Sequence, residues 1–316
     1  MDNSDKKSSS KHVLLHRSNG NIEWIEHPNT KWYQTENNAR LLSQDFCKHI
    51  LILRVIYNVK GNEHVVFFTG SPLVYKGKYL WLTAGHVIKT IQEMVCSESY
   101  KIRGVSWFDN YENQEAAAIP TGNLETLFNF FVDNKDEGDI GIVNLDQLTI
   151  RNLKANKNLD WLDENMWRNI DKAEPDGYYL VGTPYEMTKT RIERLGRTFK
   201  GKSDIYIICV PVERIQVDIQ KEPREFWDYP GFIFGRIIPI HKQNGEQLHS
   251  IEGMSGGLIF SVEIENIKES GASGIRYRLF GIQSAWLPHS QIIRATPIDN
   301  VEDYLEQNID DLNSKE

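Results

Sequence analysis

Glu252-Gly253-Met254-Ser255-Gly256-Gly257 runs directly into Leu258-Ile259-Phe260, and the residues after the serine decide the fold. A glycine-flanked serine suits a reactive position. The missing side chains let a carbonyl carbon approach Oγ, and the backbone N–H groups of Gly253 and Ser255 are free to point at a developing oxyanion. The same letters also satisfy a strand–serine–helix elbow of the form Gly-x-Ser-x-Gly. That arrangement places a helix after the serine, and then an acid and a histidine in that order. Here an apolar, strand-like run comes after Ser255, and the only later histidine, His289, precedes the available Asp299. The α/β alternative is set aside, and an all-β setting is expected. Taken alone, the stretch also fits an ordinary tight turn before a strand.

Strand texture spreads in both directions from this point. Towards the N-terminus, apolar and β-branched runs occupy Ile50 to Val59, Val65 to Thr69, Leu73 to Tyr75, Tyr79 to Thr83 and Ile102 to Phe108, with turns such as Lys60-Gly61-Asn62 and Lys76-Gly77-Lys78 between them. The texture returns in Tyr178 to Gly182, Ile205 to Val212, Ile215 to Ile219, Phe232 to Ile240, Leu258 to Ile264 and Tyr277 to Ser284. Between the two groups, residues 149–177 carry Leu153, Leu159, Trp161, Leu162 and Trp167 at loosely helical spacing. Asp299-Asn300 before Val301 to Leu305 reads as a helix cap and an amphipathic helix. The expected organisation is a tail and wrapping segment over 1–47, a first β lobe over 48–148, a helical linker over 149–177, a second β lobe over 178–296, and a terminal helix and tail over 297–316. There is no internal repeat.

Composition narrows the class. With 316 residues, 40% hydrophobic and 25% charged, the chain has enough apolar material for two substantial cores. A net charge of −8 argues against a general nucleic-acid or anionic-membrane partner. Cys47, Cys96 and Cys209 are odd in number and widely spaced, without a metal or redox motif. The polar start of the chain has no apolar signal core, and no run is long enough to span a membrane. Cytosolic residence is expected.

A serine nucleophile needs a base within reach, and that base needs an acid on its other ring nitrogen. His86, in Thr83-Ala84-Gly85-His86-Val87, follows an apolar strand on small residues; an ordinary strand-end histidine is the alternative. Asp139 opens the apolar run Ile140-Gly141-Ile142-Val143, where burial demands a partner such as a histidine N–H. Asp136 and Glu137 are its rivals in a more charged stretch.

Thr83-Ala84-Gly85-His86, Asp139-Ile140-Gly141-Ile142-Val143 and Gly253-Met254-Ser255-Gly256-Gly257, in that order, resemble the three signatures of the chymotrypsin-like (trypsin-like) serine proteases, over about residues 48 to 305. Leu279-Phe280-Gly281-Ile282-Gln283-Ser284 is similar to the family's substrate-pairing strand, and Tyr179-Leu180-Val181-Gly182-Thr183-Pro184 to the Gly-x-Pro strand end of bacterial members. The resemblance implies two six-stranded Greek-key barrels with the catalytic cleft between them. It implies a Ser255–His86–Asp139 triad, an oxyanion hole from the Gly253 and Ser255 amides, and no cofactor or metal. Ser284 falls where the family has a serine near its catalytic aspartate, His249 falls at the base of the specificity pocket, and Trp286 falls at its wall. No carboxylate stands at that base, so a preference for Lys or Arg is not implied. His249 fits either an acidic substrate side chain or a filled pocket.

Two departures from the pattern matter. Secreted zymogens carry an aspartate before the serine, where this chain has Met254, so activity independent of a processed N-terminus is expected. Val87 replaces a cysteine that often follows the histidine, consistent with a reducing compartment. The expected function is a regulated cytosolic serine endopeptidase acting on protein or peptide substrates, with a regulatory protein partner, as for a defence or stress effector. The alternative is a protease-like fold used for binding or scaffolding. The basic stretch Lys189, Arg191, Arg194, Arg197, Lys200 and Lys202 reads as a solvated loop face, or as a site for an anionic or acidic-protein partner.

Overall fold

A computed structural model describes residues 11–16, 22–27, 45–108, 119–120, 130–132, 138–155, 159–168, 175–195, 198–216, 233–237, 250–267 and 272–313. Two antiparallel sheet systems account for most of them. The first is built from β3 (Leu51–Val59), β4 (Asn62–Tyr75), β5 (Lys78–Ala84), β6 (Lys101–Phe108), β7 (Ile119–Pro120), β8 (Phe130–Val132) and β9 (Ile140–Asn144), in the order β7-β6-β3-β4-β5-β9-β8. β4 joins two expected strands into one. Its first half pairs with β3, from Val59↔Asn62 to Leu51↔Gly70, and its second half with β5, from Ser71↔Leu82 to Tyr75↔Lys78.

The second system contains β10 (Gly177–Gly182), β13 (Ile208–Arg214), β14 (Ile233–Ile237), β15 (Leu258–Ile267), β16 (Ala272–Leu287) and β17 (Ile292–Pro297). Its order β15-β10-β13-β14-β17-β16 closes through β15–β16 pairing into a six-stranded barrel. Counted within the lobe, the strand order is first, second, third, sixth, fifth, fourth. The first system has the same order if β7 and β8 are counted as two pieces of one fifth strand. That sheet is not closed among the described residues, because β7 and β8 flank 121–129, which lie outside them. The expectation of two closed six-stranded barrels is therefore met by the second lobe. The first is a curled sheet whose β7 edge carries Pro120, a residue that lacks a ladder donor and suits an edge.

Curling follows from what the first sheet encloses. Trp81 on β5 and Trp107 on β6 meet with ring centroids 5.2 Å apart, although two strands lie between them. Trp81 Nε1 donates to Leu51 O at 2.9 Å, so the buried indole N–H is satisfied. Helix α1 (Gly85–Cys96) adds Val87, Ile88, Ile91 and Met94 to this cluster. Helix α2 (Gln147–Ala155), capped by Asp146 Oδ1 accepting from Thr149 N at 2.9 Å, adds Ile150 and Leu153.

The other face of the first sheet, with Ile52, Phe67, Leu80, Leu82, Ile140 and Ile142, merges with the barrel residues Tyr179, Val181, Leu258, Phe260 and Ile282 in one apolar cluster. Helix α3 (Ile298–Asn313) closes it with Val301, Tyr304 and Leu305. On its outer side, Arg168 Nε donates to Glu302 at 2.5 Å, and Tyr75 and Lys76 donate to Glu306.

Elements outside the two lobes differ from the sequence reading. β1 (Lys11–His16) and β2 (Ile22–His27) form a hairpin that extends the barrel sheet, β1 running parallel to β16. The basic stretch is itself a two-stranded hairpin, β11 (Lys189–Leu195) with β12 (Thr198–Asp204), where a loop was expected; Arg197 lies outside the described residues. No helix among the described residues is long and apolar enough to cross a membrane.

Candidate active site

The pairing of β5 with β9 assembles the first half of the site. Ala84 stands opposite Ile140, so the residue after β5 and the residue before β9 emerge side by side. β5 passes directly into α1, and the first turn of that helix presents unpaired amides. Asp139 fills this position. Its backbone O accepts from Gly85 N at 2.9 Å, its Oδ1 accepts from His86 N at 2.8 Å, and its Oδ2 lies 2.5 Å from His86 Nδ1. A carboxylate at a helix N-terminus is favoured by the helix dipole as well as by these donors. With Nδ1–H donating to Oδ2, the proton is assigned to Nδ1 and Nε2 is left as an acceptor. The His86 side chain is 46% exposed, so Nε2 is open to a reacting group. Asp136 and Glu137 lie outside the described residues.

The loop before β15 forms the second half. Met254 N donates to Ile251 O at 3.0 Å and Gly257 N to Met254 O at 2.7 Å. Gly256 N donates to Gln283 O at 2.9 Å, and Gln283 N returns to Gly257 O at 2.8 Å. These bonds use every amide from Met254 to Gly257 except that of Ser255. Among the described residues the Gly253 and Ser255 amides take no hydrogen-bond partner. Gly253 has φ of 94° and Gly256 of 86°, in the left-handed region where glycine is favoured. Met254 is fully buried in the barrel, its side chain packed beside Gly182. A hydrophobic anchor thus directly precedes the serine, and Ser255 is left half-buried.

Close packing carries this loop to the His86–Asp139 pair. A Cβ on Gly256 would lie 2.2 Å from Thr83 Oγ1, 2.4 Å from Thr69 O and 3.1 Å from Ala84 N. The residue after Ser255 therefore presses on the strand end that delivers His86. Thr69, on β4 and 1% exposed, ties the same place together. Its Oγ1 donates to Gly253 O at 2.9 Å and accepts from Thr183 N at 3.4 Å, while its O accepts from Thr83 Oγ1 at 2.7 Å. Among the described residues no hydrogen bond joins Ser255 to His86. The site thus holds an oriented histidine–aspartate pair and an adjacent glycine-flanked serine with two unpaired amides, the donor set that acyl transfer uses.

The expected substrate-binding residues divide. His249 lies outside the described residues. Ser284 occupies an irregularity in the β16–β17 ladder and pairs with Arg294, donating to its O at 3.3 Å and accepting from its Nε at 3.2 Å, rather than with Asp139. Trp286 packs against the barrel's apolar cluster. Sequence reasoning missed Thr69 and Gln283. Thr69 acts through a bond between residues 184 apart, which no local pattern signals. Gln283 could have been noticed as the one long polar residue in Leu279 to Gln283. Among the described residues no group of three or more His, Cys, Asp or Glu side chains could hold a metal ion.

No protein-family model matches the chain, and no curated protein matches it. Solved structures similar to it include the active form of the Rv3671c protease from M. tuberculosis, at 11% identity over 95% of this chain and 90% of that one, with a TM-score of 0.42. A thermostable serine protease, AL20, from an extremophilic microorganism is 10% identical over 81% of this chain and 94% of that one, with a TM-score of 0.39. Kallikrein-related peptidase 10 in complex with Zn2+ is 14% identical over 82% and 95%, with a TM-score of 0.40. Likeness at these values assigns no residue of this chain a role.

Proposed function

We propose that the chain is a chymotrypsin-like serine endopeptidase of the cytosol, with its catalytic cleft between the two β lobes. The observation that carries the proposal is the two-point contact of Asp139 with His86, beside a glycine-flanked serine whose flanking amides are unpaired. Ser255 Oγ attacks the peptide carbonyl carbon while His86 Nε2 takes its proton. Asp139 keeps the imidazole in the required tautomer and stabilises the imidazolium. The carbonyl oxygen becomes an oxyanion that accepts from the Gly253 and Ser255 amides. One such donor is worth about 100-fold or more in kcat. Collapse of the adduct breaks the C–N bond as His86 returns the proton to the leaving amine. Water, deprotonated by the same nitrogen, then releases the acyl group from Ser255.

Nothing in this scheme needs a metal or cofactor. Met254 supports activity without a freed N-terminus, since no carboxylate is present beside Ser255 to pair with one. Control then falls to a protein partner, as suits a protease in the cytosol. A second reading, a protease-like fold kept for binding, has one observation in its favour: the unmade Ser255–His86 bond. Hydrogen bonds of this kind are often long until substrate is bound. The test is labelling by a fluorophosphonate probe. Labelling that is abolished in Ser255→Ala and greatly slowed in His86→Ala is expected; an unlabelled wild-type protein favours the binding fold, and a labelled Ser255→Ala overturns the assignment of the nucleophile.

A further inference from the structure

The N–H of Gly253 shares its peptide plane with the carbonyl of Glu252, and that carbonyl is held from a different part of the chain. Glu252 O accepts from Tyr185 N at 2.7 Å. In a trans peptide, as every described one is, the C=O and the N–H point in opposite directions. The bond therefore turns the Gly253 N–H away from Tyr185, and among the described residues that N–H takes no partner. Tyr185 opens a single 3-10 turn, Tyr185–Met187, just beyond the end of β10. Thr188 closes the turn, its N donating to Tyr185 O at 2.9 Å and its Oγ1 to Pro184 O at 3.1 Å. The Tyr185 ring lies against Gly253, where an added Cβ would come within 2.9 Å of Cδ1 and 3.0 Å of Tyr185 N.

Glu186, the next residue of the turn, holds the start of the same loop. Its Oε2 accepts from Ser250 N at 2.8 Å, and Ser250 Oγ accepts from Glu252 N at 3.0 Å. Glu252 is thus held at its carbonyl directly by the turn and at its amide through Ser250. Resting on the proposed peptidase reading, in which the Gly253 N–H receives the oxyanion, we propose that the turn Tyr185–Met187 is a clamp that aims this N–H. Tyr185 and Glu186 are its positioning residues and supply no reacting atom. Gly253 needs such a clamp because a glycine at φ of 94° lets the planes on either side of it turn at little steric cost. The following plane is held from the first lobe, where Thr69 Oγ1 donates to Gly253 O. An oxyanion donor acts only when it is fixed in direction before the charge develops, and the two outside bonds supply that.

The peptide plane can be observed apart from the chemistry. Glu-Gly occurs in the chain only as Glu137-Gly138 and Glu252-Gly253. Protein carrying carbonyl-13C glutamate and 15N glycine therefore gives two one-bond amide correlations by NMR, and Glu137→Asp identifies the first by removing it. The Gly253 signal should shift, split or broaden in Glu186→Ala and stay in place in Glu186→Gln, which keeps an acceptor for Ser250 N. The saturating rate of fluorophosphonate labelling should fall by about threefold or more in Glu186→Ala and recover to within about twofold in Glu186→Gln, at an unchanged half-saturating concentration. Tyr185→Pro removes the N–H itself where proline fits, at the first position of a helical turn after an extended Pro184 with φ of −77° and ψ of 140°. Its saturating rate should lie about tenfold or more below that of Tyr185→Ala, which loses the ring and keeps the N–H. If Tyr185→Pro does not fold, the two Glu186 variants decide. An unmoved Gly253 signal in Glu186→Ala, a loss that Glu186→Gln does not restore, or equal rates in Tyr185→Pro and Tyr185→Ala overturns the clamp. A wild-type protein that is not labelled, but whose Gly253 signal moves in Glu186→Ala alone, removes the hydrolase and keeps the clamp.

Discussion

Thr69 shows how much one side chain contributes when it spans two lobes. Its hydroxyl holds the carbonyl of Gly253, and through it the peptide that joins the two unpaired amides, while its own carbonyl is held by Thr83. Both threonines are essentially inaccessible to water. Replacement by valine keeps the volume and removes the only side-chain donor that reaches Gly253 O among the described hydrogen bonds. A partly buried carbonyl left unpaired costs up to about 1–3 kcal/mol. Thr69→Val should therefore be destabilised by that amount in denaturant unfolding, and its rate of fluorophosphonate labelling should fall by about tenfold or more. Thr69→Ser, which keeps the hydroxyl, should recover most of the labelling rate. If Thr69→Val is destabilised but labels at the wild-type rate, Thr69 supports the fold and does not position the loop.

Among the elements, α3 carries a clear stability argument. Leu305 is fully buried where α3 covers the seam between the two sheet systems, with Val301 a turn before it. Removing buried methyl groups from such a site costs about 2–5 kcal/mol, because the surrounding core collapses only in part. Leu305→Ala should lower the melting temperature by several degrees in a thermal scan, and an unchanged value would mean that the helix is dispensable. This helix was legible in the sequence from the acidic Asp299 and the apolar spacing behind it, but it starts at Ile298, so that Asp299 and Asn300 lie within it and not at its cap. α1 was not, although Val87, Ile88, Ile91 and Met94 recur at helical spacing. Its glycine start, directly after an apolar strand, masked the change of period. β17 went unread for a different reason. Ile292 and Ile293 are followed by Arg294, a charged residue that is nonetheless buried, its Nε donating to Ser284 Oγ. The irregularity at Ser284 depends on the β16–β17 register, and register is a long-range property that one strand's sequence does not contain.

At the scale of the molecule, the all-β character and the order of the two lobes could be read from turn spacing. That the lobes form one core could not, since Ile52, Leu82 and Ile142 of the first sheet join Val181, Leu258 and Ile282 of the barrel only in three dimensions. The lobes should accordingly unfold together, and His49 makes that unfolding sensitive to pH. It lies at the seam, 2% exposed, with its ring centroid 5.7 Å from that of Phe260 and 6.5 Å from that of Tyr277. Nδ1 is 3.0 Å from Asp160 O, and Nε2 is buried without a partner among the described residues, so a second ring proton finds no acceptor there. Burial holds the His49 pKa below its ordinary value of 6.5, outweighing the Asp160 carbonyl, which acts to raise it. In the unfolded chain the imidazole binds a proton as pH falls through about 6.5, while the folded chain resists until a lower pH. The stabilisation is thus complete above that pH and is lost below it, by up to about 1.4 kcal/mol per pH unit until the folded-state value is reached. Glutamine at this position keeps an N–H for Asp160 O and does not titrate. In urea unfolding measured from neutral pH downward, the wild-type protein should lose stability more steeply below about pH 6.5 than His49→Gln does. Parallel profiles for the two proteins would show that the seam titrates through other groups and that His49 is silent.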